Sequence, residues 1–308
     1  MTQIGVVHLI RKKNGVEPFE RFLASYQKFP AGQPHDLVLI FKGFNFGRGL
    51  EAYDRILKNI PHKRLYLADF GFDLRPYFKA VKCFDYQYFC FFNSFSQILA
   101  PDWLTKLFRP ASMEGVGIVA ATGSYESFSE NSRKREKMLA ELDFVSRLRW
   151  RIAHAFGAST PQLVVLRLMA WGLRAVGIWD LRRHFPGFPN PHVRTNAFMA
   201  TREVLLSVQM WPMLFKLSAF LFESGHRSLT NQIMRLGLRP MIVASSGQTY
   251  EIEQWPQSSI FRQDFQQDLL VADNQTEAYL AAKQERRDEL SLLAWGESAR
   301  PAQIPAGS

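Results

Sequence analysis

The sequence predicts an open α/β fold: a mostly parallel sheet flanked by helices, Rossmann-like, with one helical insertion. Three observations predict it. Strand-like and helix-like segments alternate through residues 1–125, the rhythm of βαβ units. The strand-like segments are nearly continuous apolar runs, as a sheet covered on both faces requires. Polar clusters follow one strand after another, and in a parallel sheet those ends gather along the edge where ligands bind.

The elements follow in order. Residues 4–10, IGVVHLI, form the first strand. Residues 17–29 form an amphipathic helix with Phe19, Phe22, Leu23 and Tyr26 on one face. Residues 35–44 are the second strand, and residues 50–60 a helix stopped by Pro61. Residues 63–69 make the third strand, 74–84 the third helix, 86–94 the fourth strand and 115–124 the fifth. Residues 192–200 alternate like a strand. A helix over 212–222 is opened by Pro212. Ser228 can cap the next helix, which Gly237 ends. Residues 239–245 supply the last core strand.

Residues 126–186 break this rhythm with a charged, basic helix and then a largely apolar segment. Arg167 and Arg174 lie seven apart there, on one narrow helical face. A bilayer span of about 20 apolar residues would not carry both. Two readings stand: an interfacial helix that raises its arginines to lipid phosphates, or a helix packed on the domain with a thin solvated stripe. The domain division expected is an α/β body of residues 1–125 and 187–260, the insertion 126–186, and a C-terminal extension 261–308 with a disordered end.

With 308 residues, 47% hydrophobic and 14% aromatic, the chain can bury one large core and is not of disordered composition. Two cysteines, Cys83 and Cys90, exclude a disulfide framework or a zinc cluster and read as buried thiols of a reducing compartment. The N-terminal apolar run is too short for a signal peptide. A net charge of +10 favours anionic partners. No zinc-finger or RNP-type pattern accompanies it, so nucleic acid is not expected.

The polar clusters are Lys42–Gly43, DFGFD (69–73), NSFS (93–96) and TGSYES (122–127). With HDLVLIFKGF, GVGIVAATGSYES, FPNPHVRTNAF, FESGHRSLTNQI and LLVADNQTEAYL, they resemble the A-type glycosyltransferase fold. That is the nucleotide-diphospho-sugar-binding fold of inverting bacterial transferases. More closely, the motifs resemble bacterial proteins related to rhamnan-synthesis-F-like transferases. They run in order along most of the chain apart from the insertion.

The resemblance implies a glycosyltransferase that moves a sugar from a nucleotide diphosphate to a cell-surface glycan or lipid-linked acceptor. The basic charge and the helical insertion would hold such an enzyme at an anionic leaflet, which gives a cytoplasmic location, peripheral at the inner membrane. NSFS stands where such transferases carry Asp-x-Asp for Mg²⁺ or Mn²⁺. Neutral Asn93 and Ser96 suit a hard cation poorly, which leaves metal dependence open, with His192 and Asn93 as the ligands at most. The departing diphosphate still needs positive charge. Lys42, Arg75, His192 and Arg194 could supply it, with backbone amides near Ser94. Read locally, NSFS is a helix cap or turn.

Glu223 matches the family's general base, which takes the acceptor hydroxyl's proton. A free glutamate titrates at about 4.3, and partial burial would raise it. Read locally, Glu223 is a helix-end residue paired with His226 or Arg227. The resemblance puts Asp73 near the ribose, where a carboxylate accepts from two hydroxyls. It turns Arg194, Thr195 and Asn196 toward the donor or acceptor. His8 closes the first strand, within reach of a base or as a core histidine. Tyr250 and Trp255 offer an aromatic platform for an acceptor. The alternative function is a transferase-like domain that binds glycan or nucleotide without catalysis.

Overall fold

A computed structural model of the chain describes residues 3–44, 49–69, 74–129, 184–211 and 216–299. Asp73, Pro212, Arg167 and Arg174 lie outside the described residues, as does nearly all of the expected insertion. Contacts divide the chain into two compact units, residues 1–125 with 191–308, and residues 126–190. In the smaller unit the Ser127 and Ser129 hydroxyls both donate to the Pro186 carbonyl, and the Phe128 and Phe185 rings lie 4.9 Å apart.

The larger unit opens with strand β1 (Ile4–Arg11), helix α1 (Glu17–Lys28), β2 (Asp36–Lys42), α2 (Glu51–Ile56), β3 (Lys63–Leu67) and α3 (Leu74–Cys83). β4 (Tyr88–Phe92), β5 (Gln97–Ile98), α4 (Trp103–Ala111), β6 (Val116–Ala120) and β7 (Gly123–Ser124) follow. After the smaller unit come β8 (His192–Val193), β9 (Ala197–Thr201), α5 (Arg202–Ser207), α6 (Lys216–Ser224), α7 (Leu229–Arg235) and β10 (Arg239–Val243). β11 (Thr249–Tyr250), β12 (Val271–Ala272), α8 (Asn274–Ala281) and α9 (Gln284–Trp295) complete it.

The eight-stranded sheet has the order β11-β10-β6-β9-β4-β1-β2-β3. β3, β2, β1 and β4 are parallel neighbours. β9 runs antiparallel between β4 and β6, so β6 and its parallel neighbour β10 share the direction of β1. The order reverses at β1, which lies between β2 and β4, and crevices at such a reversal bind ligands outside the carboxyl ends of the strands.

Strand side chains alternate between two cores. Val7, Leu9, Val38, Ile40, Phe89 and Phe91 meet α3 through Leu74, Tyr77 and Val81. Val6, Ile10, Leu39, Phe41, Cys90 and Phe92 meet α1 and α4 through Phe19, Phe22, Trp103 and Leu107. The amphipathic spacing expected for α1 is therefore its packing face.

Three features depart from the sequence reading. The run 192–200 is two strands broken by a turn at residues 194–196. Cys83 is exposed, and only Cys90 is a buried thiol. The segment expected to be an extension contributes Phe261, Leu270, Val271 and Trp295 to the cores, and β12 pairs with β5. Among the described residues no helix is long and apolar enough to cross a membrane.

Candidate functional site

The turn between β8 and β9 is the centre of one polar network. β9 begins beside the carboxyl ends of β4 and β6, so Arg194, Thr195 and Asn196 stand at the ligand-binding edge. Asn196 is buried and joins four segments. Its carbonyl accepts from the Asn93 amide at 3.0 Å and the Ser96 hydroxyl at 2.6 Å. Its side chain accepts from Thr122 Oγ1 at 2.5 Å and donates to the Val271 carbonyl at 3.2 Å.

Glu223 belongs to the same network. It sits in the last turn of α6, where the helix dipole disfavours an acid. Two donors from one residue offset that: Thr195 Oγ1 at 3.1 Å and the Thr195 amide at 3.3 Å, both to Oε1. Of the two pairings that the local reading offered, with His226 or Arg227, the second is not made: Arg227 donates to Gln209. Arg194 is buried beside Asn196. It donates to Asp273 at 3.0 Å and lies 4.1 Å above the Phe261 ring. Its second terminal nitrogen, Nη1, is buried without a hydrogen-bond partner among the described residues.

NSFS forms a closed turn. Asn93 Oδ1 accepts from the Phe95 amide at 2.8 Å and the Ser96 hydroxyl at 3.1 Å. The Ser94 hydroxyl donates to the Leu9 carbonyl at 2.8 Å, tying β4 to β1. These are neutral oxygens with two donors already on the amide oxygen, a set that does not fit a hard divalent cation. Among the described residues no group of three or more His, Cys, Asp or Glu gathers to hold a metal. His192 is buried in β8, paired with Ser124.

Lys42 stands apart from this network, in a second cluster at the same edge. It is the register partner of Arg11 on β1 and of Leu67 on β3. Both cations converge on Asp69, Arg11 Nη2 at 3.2 Å and Lys42 Nζ at 3.8 Å from Oδ1. Arg75 is exposed in the first turn of α3. The hollow between β1 and α1 is lined by His8, Ile10, Arg11, Asn14, Gly15 and Ser94 and leaves no room for a water molecule. His8 is fully enclosed, so it presents nothing to a base.

Trp255 does not form the expected platform. It is fully enclosed, packs against Tyr125 at 6.3 Å between rings, and donates its indole N–H to the Tyr250 carbonyl. Tyr250, its neighbour on β11, is half-buried.

Asp69 and Asp273 lie inside quoted motifs without being singled out, and Arg11 is left out altogether. Asp273 carried a local signal: with Thr276 it forms a capping box at the start of α8. Arg11 carried none beyond standing at the end of an apolar strand.

No family model and no curated protein matches the chain. Solved structures do. A mannosyltransferase from Pyrobaculum calidifontis, in complex with GDP-Man and Mn²⁺, is 11% identical with a TM-score of 0.44, over 78% of this chain and 54% of that one. Glucosyl-3-phosphoglycerate synthase from Mycobacterium tuberculosis, with Mn²⁺, UDP and phosphoglyceric acid, is 16% identical with a TM-score of 0.39, over 77% and 66%. TarS from S. aureus, with UDP-GlcNAc, is 17% identical with a TM-score of 0.30, over 38% and 33%. The chain spans about half the length of the first and a third of the last.

Proposed function

We propose that the chain is a glycosyltransferase that uses a nucleotide-diphospho-sugar and that Glu223 is its general base. The observation that supports this best is the Glu223–Thr195 contact at the carboxyl edge of the sheet. A carboxylate at a helix C-terminus is placed against the dipole, yet here a neighbouring turn holds it by two hydrogen bonds. Both land on Oε1.

In the reaction, Glu223 removes the proton of an acceptor hydroxyl. That oxygen forms the new bond to the anomeric carbon while the bond to the diphosphate breaks, and the nucleoside diphosphate leaves with the electron pair. Arg194 and Asn196 would face the donor beside Glu223. Inversion at the anomeric carbon, a glycan or lipid-linked acceptor and work at an anionic membrane surface belong to the same reading. The net charge of +10 supports the last of these.

The test is transfer and hydrolysis from a panel of nucleotide sugars, paired with calorimetry. Turnover that Glu223→Gln abolishes while donor affinity stays unchanged supports the assignment. Full activity in that variant removes Glu223 from the role. A second reading has its own observation: Asn93, Ser94 and Ser96 are all engaged in turn and strand contacts, which suits a domain that binds a nucleotide or glycan without turnover. Donor binding with no turnover under any metal would favour it.

A further inference from the structure

We propose that the cluster at the ends of β1 and β2 is a metal-independent diphosphate site. Lys42, Arg11 and Lys12 take the anion, and Asp69 is the counter-ion it displaces. Naming the anion a diphosphate rests on the transferase reading.

Lys42 ends β2, and its side chain is 0% exposed. Arg11 ends β1, and its side chain is 12% exposed. Strand register sets the two side by side. The carboxylate they share is different: Asp69 lies beyond the end of β3, and its side chain is 45% exposed. Holding an ammonium out of water is costly unless an anion compensates it. Asp69, one of the groups that compensate it, reaches solvent. A diphosphate offers anionic oxygens to an Arg–Lys pair as a carboxylate does, and its total charge is larger.

Gly43 brings the third cation in. Its φ is +86°, and its amide donates to the Leu67 carbonyl at 2.8 Å. A methyl group there would stand 3.2 Å from the Asp69 Cβ and 3.7 Å from the Lys12 Cβ. Both side chains therefore approach over a bare backbone. Lys12 is exposed, and its Nζ lies 5.8 Å from the Phe44 ring. The carboxyl end of β4 offers the opposite chemistry, neutral oxygens already engaged as acceptors and donors. Arg194, at the same edge, is already paired with Asp273, and the cations at the ends of β1 and β2 are placed to do the work that a cation on β4 would otherwise do.

The probe is inorganic pyrophosphate, titrated calorimetrically into the full chain in EDTA. Wild type is expected to bind it without added metal. Lys42→Met keeps the buried stem and should weaken binding about ten-fold or more, the value of a charge-assisted contact. Lys12→Met, on an exposed side chain, should weaken it about three- to ten-fold and serves if the first variant does not fold. Asp69→Asn removes the competing anion and should tighten binding. Pyrophosphate that binds only with Mn²⁺ or Mg²⁺, or equally to Lys12→Met, or no tighter to Asp69→Asn, overturns the proposal. Absence of turnover with any nucleotide sugar bears on the transferase reading alone.

Discussion

Thr195 donates twice to the same oxygen of Glu223, from its hydroxyl at 3.1 Å and its amide at 3.3 Å. The amide bond survives any side-chain substitution, so the hydroxyl can be tested separately. If Glu223 is the base, Glu223→Gln should lower kcat by about 10²- to 10⁴-fold, the usual weight of a general base. Donor affinity should stay within about two-fold. Thr195→Val should lower kcat about ten-fold, the weight of one hydrogen bond to a charged group. Thr195→Ser, which restores the hydroxyl, should recover most of it. Steady-state kinetics on the three variants checks this, and a Thr195→Val enzyme with wild-type kcat would remove Thr195 from any positioning role.

The Arg194–Asp273 pair is buried, and its two ends are not equally supported. Asp273 also accepts from the Gln275 and Thr276 amides as the cap of α8. Asp273→Ala therefore strips the cap and leaves a buried guanidinium without its anion, a loss of about 3–5 kcal/mol. Arg194→Met keeps the stem over Phe261 and leaves Asp273 two of its three partners, so it should cost less. Urea denaturation of both variants gives the comparison. Equal losses would mean that the cap contributes nothing.

Trp255 tests core against platform. Trp255→Ala empties a site enclosed by Tyr125 and the backbone at Gly123, at a cost of about 3–5 kcal/mol. Gly123→Ala should also destabilise, by about 1–3 kcal/mol, because its Cβ would fall 2.6 Å from the indole ring. A platform residue would instead raise the acceptor KM and leave the melting temperature in place.

The order of strands and helices was legible because burial writes a period into the chain. Val6, His8 and Ile10 face α1, and Val7 and Leu9 face α3, so β1 reads as a strand from its residues alone. Pairing direction leaves no such mark. β9 lies antiparallel between β4 and β6, and its alternation would be the same in either direction. The turn at 194–196 was hidden because Arg194 and Asn196 are buried by ion pairing and hydrogen bonds, so polar residues there looked like the outward half of a strand. The contacts that build the candidate sites join residues far apart in the chain. Arg11 meets Asp69 across 58 positions and Arg194 meets Asp273 across 79. No local pattern encodes them. The partner of Glu223 was not legible: the nearby His226 and Arg227 suggested themselves, and the turn 28 residues earlier supplied the donors.

His8 gives the clearest pH dependence. Its ring stacks on Phe22 with centroids 3.7 Å apart, and among the described residues neither ring nitrogen has a hydrogen-bond partner. Burial disfavours the charged ring and pulls its pKa from 6.5 down to about 3. Between those values the unfolded chain binds a proton that the folded chain refuses. The contribution to stability is thus present in full above pH 6.5 and is lost as pH falls toward 3. By pH 4 the loss should approach about 3 kcal/mol. His8→Leu lacks this term and shares every other titrating group with wild type. The difference in unfolding free energy between the two proteins should therefore shift by about that amount, in favour of the variant, between pH 7 and pH 4. Denaturant titrations at a series of pH values measure it. Parallel pH curves for the two proteins would mean that the ring gains its proton in the folded state as readily as in the unfolded chain, and that the core around Phe22 opens to admit it.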